Sequence, residues 1–249
     1  MSYRADPHIH TCLSPCGDLD MHPREIVRQA LQVGLDLIAV CDHNHAGNAA
    51  SVTRAAAALE AAAGSRLVVL PGIEVCTVEE VHLVALLPTL QAAAQLQAAC
   101  LDTLTALNDP DAFGLQVLAD EDGGVDGFEK RLLLAATSFS LEEAVRRIRC
   151  LDGLVILAHA DREAFGILGQ LGFVPPSLDF DAAEATSAAA VENVAAALPR
   201  GRPVIATSDA HLLHEIGRRF TVVEGGPPSF DTLARALRIG AVTPEYLHG

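Results

Sequence analysis

Leu67-Val68-Val69-Leu70-Pro71-Gly72-Ile73-Glu74-Val75-Cys76 is a largely apolar run interrupted by one carboxylate. Continuous rather than alternating hydrophobicity marks a strand covered on both faces, as in parallel sheets flanked by helices. Leu35-Asp36-Leu37-Ile38-Ala39-Val40-Cys41 before it and Val81-His82-Leu83-Val84-Ala85-Leu86-Leu87 after it have the same character. Helical patterns separate them. Residues 23–33 begin with Pro23 at a first-turn position and stop before Gly34, residues 48–63 are Ala-rich and close at Gly64, and residues 89–106 continue in that style. Downstream, 141–150 and 230–239 read as helices, and 154–158, 203–207 and 221–224 as strands. Strand and helix alternating through nearly all of the 249 residues predict a parallel sheet, closed or distorted into a barrel.

One segment breaks the alternation. Residues 108–130 carry two Asp-Pro/Pro-Asp turn signals and the tract Asp120-Glu121-Asp122-Gly123-Gly124, with no sustained periodicity. The apolar run Leu132-Leu133-Leu134-Ala135-Ala136 follows it. An irregular insertion over about 108–140, docked by that run and placed beside the site as a substrate-selecting lid, is the expectation. No repeat or linker splits the chain, so 1–249 is expected to be a single barrel domain.

Composition narrows the function. Apolar residues make up 50% of the chain, enough for a large core. Lys and Arg number 17 against 32 Asp and Glu, a net charge of −15, and Phe and Tyr together number ten. Neither the charge nor the aromatic content suits a groove that tracks and stacks nucleic acid, so long nucleic acid is expected to be an unlikely partner. No run has the length of a membrane helix, and Met1-Ser2-Tyr3-Arg4-Ala5-Asp6 lacks a signal-peptide core. The expectation is a cytoplasmic protein with reduced thiols and no membrane partner.

The polar residues on these strands carry the chemistry. His8-Ile9-His10 is expected to open the first strand, with both imidazoles on one face. His43 follows the second strand, Glu74 lies near the end of the third, His82 near the start of the next, and His159 ends the strand from Leu154. Asp209-Ala210-His211 ends the strand from Pro203. Imidazoles and carboxylates gathered at strand ends are costly to bury unless paired or bound to metal, and a barrel places its active site there. His22, His214 and His248 have no such partner pattern.

Asp6-Pro7-His8-Ile9-His10-Thr11, Asp42-His43, Gly72-Ile73-Glu74, Ala158-His159 and Ser208-Asp209-Ala210-His211 together resemble the polymerase and histidinol phosphatase (PHP) family, in the family's order, from about residue 4 to 215. The resemblance implies an α/β fold, a distorted TIM-like (β/α)7 barrel, and two to three divalent ions. It places His8, His10, Glu74 and Asp209 at a first metal and Glu74, His82 and His159 at a second. Asp18, His43 and His211 fall at a third, with Cys16 competing for the position of Asp18. Cys41 stands where the family commonly has Thr, and Cys12 and Cys16 flank the first motif.

Imidazole and carboxylate donors without an obligatory thiolate suit Zn, Mn or Fe. The implied activity is hydrolysis of a phosphoester through a metal-bound hydroxide, with Glu74 able to bridge ions. Arg162 matches the place of a phosphate-binding arginine in relatives acting on nucleotides, and competes with a solvent-exposed helix-start role. His45 is a candidate base or acid, or else a surface histidine of its loop; Arg218 and Arg219 are weaker phosphate candidates. The expected partner is a small phosphorylated substrate, a nucleotide or inorganic phosphate. The alternatives are an exonuclease or phosphodiesterase on short nucleic acids, and a metal-binding regulatory module without catalysis. An amidohydrolase with a carboxylated lysine is weakened because the sole Lys, Lys130, lies in the irregular segment.

Overall fold

The computed structural model describes residues 1–63 and 66–247; Gly64, expected to close a helix, and His248 lie outside the described residues. Strands β1 (Ser2–Ile9), β2 (Leu37–Val40) and β3 (Val68–Cys76) run parallel, connected by α1 (Pro23–Gln32) and α2 (Ala49–Ala63). β4 (His82–Leu86) returns antiparallel to β3 and leads into α3 (Leu90–Leu101). A short α4 (Pro110–Phe113) and the hairpin of β5 (Val117–Ala119) and β6 (Val125–Phe128) stand apart as a small sheet. After α5 (Leu141–Arg149), β7 (Leu154–Leu157) pairs antiparallel with β4. α6 (Ile167–Leu171), β8 (Ala182–Glu184), α7 (Val191–Ala197) and β9 (Val204–Ile205) follow, with β7, β8 and β9 parallel. β10 (Arg219–Glu224), α8 (Phe230–Ile239) and β11 (Val242–Tyr246) complete the described elements, β10 lying antiparallel to β1.

The sheet order is β11-β10-β1-β2-β3-β4-β7-β8-β9, and the two ends nearly meet. His10 N–H donates to the Ala210 carbonyl and Asp209 N–H to that of His8, both at 3.0 Å, so the chain leaving β9 pairs with the end of β1. Buried Asp6 reinforces this closure, accepting from Ser208 N–H at 2.8 Å and Gly217 N–H at 3.1 Å. The distorted barrel is therefore as expected, but the sheet is mixed rather than all parallel. Only residues 77–81 separate β3 from β4, too few for a crossover, so β4 must reverse. The first strand also differs from expectation. His8-Ile9-His10 closes β1 rather than opening it, because Ser2 to Ala5 already pair with β10.

Strand periodicity sorts the core into layers. Leu37, Ala39 and Cys41 join Val84, Leu86 and Ile156 in an inner cluster, while Ile38 and Val40 pack outward with Ile26, Val27 and Val52 of the helices. On the other side Leu83 and Ala85 meet Leu96, Val145 and Ile148.

The irregular segment is anchored rather than loose. Val117 and Ala119 pack on Cys12, and fully buried Leu133 packs on Leu13, Leu101 and Leu104. Buried Asn48 donates to the Val117 carbonyl at 3.0 Å and accepts from Ala119 N–H at 3.0 Å. The acidic tip is half-buried to exposed and paired, Glu121 with Arg54 at 2.8 Å and Asp122 with Arg24 at 2.7 Å. Such surface pairs contribute little, so the hold comes from Asn48 and the apolar contacts. Asn48→Ala leaves two backbone groups without partners and should cost about 2–3 kcal/mol in denaturant unfolding. It should also expose residues 108–130 to proteolysis before the barrel itself opens.

Candidate metal centre

The ligand-type residues all reach the same rim. His8 and His10 end β1, His43 follows β2, Glu74 lies in β3, His159 follows β7, and Asp209 and His211 follow β9. His82 begins its strand, yet the reversal of β4 sets it opposite Cys76, at the rim where β3 ends. Backbone strain concentrates here: Asn44, His159 and Asp209 have φ of 52°, 29° and 49°. Asp42, buried, accepts from Thr11 N–H, Thr11 Oγ1 and Ser14 Oγ and so shapes the turn after β1.

Hydrogen bonds fix which imidazole nitrogen is free. His8 Nδ1 lies 3.1 Å from Glu184 Oε1, and Glu184 also accepts the backbone N–H of His159. His10 Nδ1 lies 2.8 Å from Ser14 Oγ, whose hydroxyl is already committed to Asp42 Oδ1 at 2.7 Å. Each Nδ1 is therefore the donor, which leaves the lone pair on Nε2. The two Nε2 atoms are only 3.2 Å apart. Asp209 Oδ1 is 3.5 and 3.2 Å from them, and Glu74 oxygens are 3.6 and 3.4 Å away. The spacing of His8, His10 and Asp209 suits ligands arranged around one ion, with Glu74 beside them.

Glu74 continues the pattern. Its Oε1 is 2.9 Å from His82 Nδ1 and 3.0 Å from His159 Nε2, and its Oε2 is 2.9 Å from His43 Nδ1. That last contact is not aligned as a hydrogen bond, and both Glu74 Oε2 and His159 Nδ1 are buried without one. His211 Nδ1 bonds to the Asp209 carbonyl at 2.8 Å, which frees its Nε2. Three groups thus have donor atoms within 4.8 Å of one another: His8, His10 and Asp209; His43, Glu74 and His82; His10, His43 and His211. Their donor set, imidazole and carboxylate, fits divalent zinc, manganese or iron.

Without an ion, protons on the imidazoles compensate the buried carboxylates, and a bound cation would take their place. Burial opposes the charge of Glu74, but His82, His8 and His43 hold its carboxyl well below the usual range. Burial likewise opposes a charge on His8, yet Glu184, Glu74 and Asp209 raise it well above its ordinary value. Against the same burial, Asp209 and Glu74 lift His10 to about 8. Burial and then His10 push His211 down to about 3, keeping it neutral and ready to donate a lone pair.

Other sequence candidates fall elsewhere. Asp18 is exposed and its Oδ1 accepts Asp20 N–H at 2.8 Å, a local turn that holds it off the cluster. Cys16 is the residue that reaches the site, with Sγ 3.3 Å from His43 Nε2. The left-handed Asn44 turns the chain so that His45 faces the irregular segment, its Nε2 3.5 Å from Glu129 and its Nδ1 accepting Gly47 N–H. Arg162 reaches the rim and donates to Asp209 Oδ2 at 2.7 Å. Glu184, which orients His8, was not anticipated: β8 has three residues, and Ala182-Ala183-Glu184 gives no strand signal of its own.

Two adjoining cavities open over the cluster. One of about 280 Å³ is lined by His43, Glu74, His82, His159 and Arg162. The other, of about 530 Å³, is lined by Arg162, Asp209, His211, Arg218 and Arg219. Arg219 is held by the carbonyls of Thr186 and Ser208, whereas Arg218 is exposed.

The PHP-associated family model matches residues 194–242. A two-domain protein from Bacteroides vulgatus containing a predicted PHP-like metal-dependent phosphoesterase superposes with a TM-score of 0.56 at 15% identity, over 99% of this chain and 65% of that one. The family match and this fold together support the resemblance to the PHP domain family. The fold is also shared with the lesion-specific endonuclease PfuEndoQ from Pyrococcus furiosus, with a TM-score of 0.69 and 19% identity over 98% of this chain and 58% of that one. Endonuclease Q in complex with a 27-mer duplex bearing an abasic lesion at the active site gives 0.67 and 18%, over 96% and 57%. The chain spans less than two thirds of each of these proteins. No curated protein sequence matches it. Among the described residues no helix is long and apolar enough to cross a membrane.

These neighbours overturn the expectation that long nucleic acid is an unlikely partner, since a duplex occupies the active site of one of them. The reasoning failed because net charge is a sum over the whole surface. It does not describe the local field, and here Arg162, Arg218 and Arg219 gather at one cavity.

Elemental analysis of unchelated protein should find two to three equivalents of zinc, manganese or iron in total. Glu74→Ala should remove more metal than any single histidine substitution, and Asp18→Ala should remove none.

Proposed function

We propose that this chain is a metal-dependent phosphoesterase acting on a small phosphomonoester or nucleotide. The observation that carries the reading is the convergence of imidazoles and Glu74 at a cavity where Arg162 stands, adjoining a second cavity lined by Arg162, Arg218 and Arg219. Bound divalent ions would supply Lewis acidity toward a phosphoryl oxygen and lower the pKa of water to near neutrality. His8, His10, Glu74 and Asp209 would hold one such ion, Glu74, His82 and His159 a second, and His43 with His211 a third. Glu184 and the Ser14–Asp42 pair keep His8 and His10 in the tautomer that presents Nε2.

Arg162 is placed to grip a phosphate oxygen. Its guanidinium is bonded to Asp209, whose other oxygen faces His8 and His10, so the planar fork already sits at the edge of the cluster. Transfer of its hydrogen bond from Asp209 Oδ2 to a substrate phosphate would leave that oxygen free for the ion. A second reading, cleavage of a phosphodiester in nucleic acid, is favoured by the match of 98% of the chain to a DNA endonuclease fold and by the open 530 Å³ cavity.

Metal-loaded protein should hydrolyse p-nitrophenyl phosphate or its bis-ester, and a chelator should abolish the activity. No hydrolysis of either, or of an oligonucleotide, would leave a metal-binding module without catalysis. Arg162→Ala should lower kcat/KM about 30- to 150-fold with bound metal unchanged. A change under twofold would remove Arg162 from the site.

A further inference from the structure

The loop after β7 presents three side chains at intervals of three. His159 turns into the cluster, Arg162 bonds to Asp209, and Phe165 lies over His82 with ring centroids 4.4 Å apart and planes within 20°. The loop is tight: Arg162 N–H donates to the His159 carbonyl at 2.8 Å, and a Cβ on Gly166 would lie 2.4 Å from the Arg162 carbonyl. Phe165 itself has φ of 64°, the left-handed region that a bulky side chain avoids. Its carbonyl accepts His82 N–H at 2.9 Å, which ties this strained backbone to β4.

A phenylalanine serving only to cover His82 would be expected to bury itself. Phe165 instead remains 37% exposed and lines the 280 Å³ cavity. Half-buried Leu134, from the apolar run of the irregular segment, lines the same cavity. Both stand beside Arg162, so an anionic group held by Arg162 and the cluster would carry its substituent between two apolar side chains.

Resting on the phosphoesterase reading, we propose that Phe165 and Leu134 form an apolar jaw that selects phosphoesters bearing a planar aromatic group, such as an aryl or nucleobase ring. Aromatic stacking supplies the preference and is indifferent to the identity of the ring, because every such ring has a π face.

Binding of phenylphosphonate and methylphosphonate to the metal-loaded protein, measured by calorimetry, tests the jaw without turnover. The two ligands share the anionic head and resist phosphoesterase cleavage. Phenylphosphonate should bind about tenfold more tightly. Phe165→Leu, which keeps an apolar cover on His82, should reduce that preference below twofold while leaving metal content and methylphosphonate affinity unchanged. Leu134→Ala should weaken the preference about threefold in the same way. Methylphosphonate binding without any phenyl preference overturns the jaw alone, as does equal weakening of both ligands in the Phe165 variant. Loss of metal from that variant, with Leu134→Ala unchanged from wild type, also overturns it and makes Phe165 a support for His82. If neither phosphonate binds, the phosphoesterase reading fails and the jaw falls with it.

Discussion

One buried carboxylate organises this molecule. Five imidazoles, those of His8, His10, His43, His82 and His159, have a nitrogen within 4 Å of a Glu74 oxygen. A carboxylate removed from water at 1% exposure is tolerable only where positive charge compensates it. Each of those histidines comes from a different turn of the barrel, apart from the pair on β1. The requirement to surround Glu74 therefore dictates where β1, β2, β4 and β7 must end or begin. The reversal of β4 serves the same demand, since a parallel β4 would carry His82 to the opposite rim.

Around this charge cluster lies a ring of acceptors that orient without reaching the centre. Glu184 faces His8, Ser14 with Asp42 faces His10, and the Asp209 carbonyl faces His211. Their effect is directional: each satisfies one imidazole nitrogen and aims the other inward. Arg162 is the one guanidinium bonded to Asp209 among the described residues, so it links the oriented donors to the open cavities.

The sequence reveals the barrel and the ligand-type residues of its rim for the same reason. Long apolar runs such as Val68–Cys76 mark the strands, and a histidine or glutamate at the end of such a run is conspicuous. Glu184 was hidden because β8 is too short to announce itself, and β9, expected over five residues, keeps only Val204 and Ile205. Asp18 and Cys16 could not be ranked from spacing, since a two-residue difference within an irregular turn reverses which side chain faces inward. The facing of His45 follows from the left-handed Asn44, a conformation that depends on tertiary contacts: the Asn44 side chain spans Leu133, Ala135 and Cys76. Net charge misled about nucleic acid because it carries no information on where the arginines lie.

The clamp made by Asp6 has a temporal consequence. Its carboxylate joins residues 202 and 211 positions further along the chain, so it acts only after almost every strand exists. Contacts of such sequence separation form late and slow the search for the native state. During synthesis the first two histidines emerge long before Asp209, and they must wait, solvated, through the growth of the entire barrel. The nascent chain thus passes through a stage with Glu74 and its imidazoles present but the ring open. The groups that include Asp209 or His211 are thus completed last, by the same segment that seals the sheet, whereas His43, Glu74 and His82 need no residue from it.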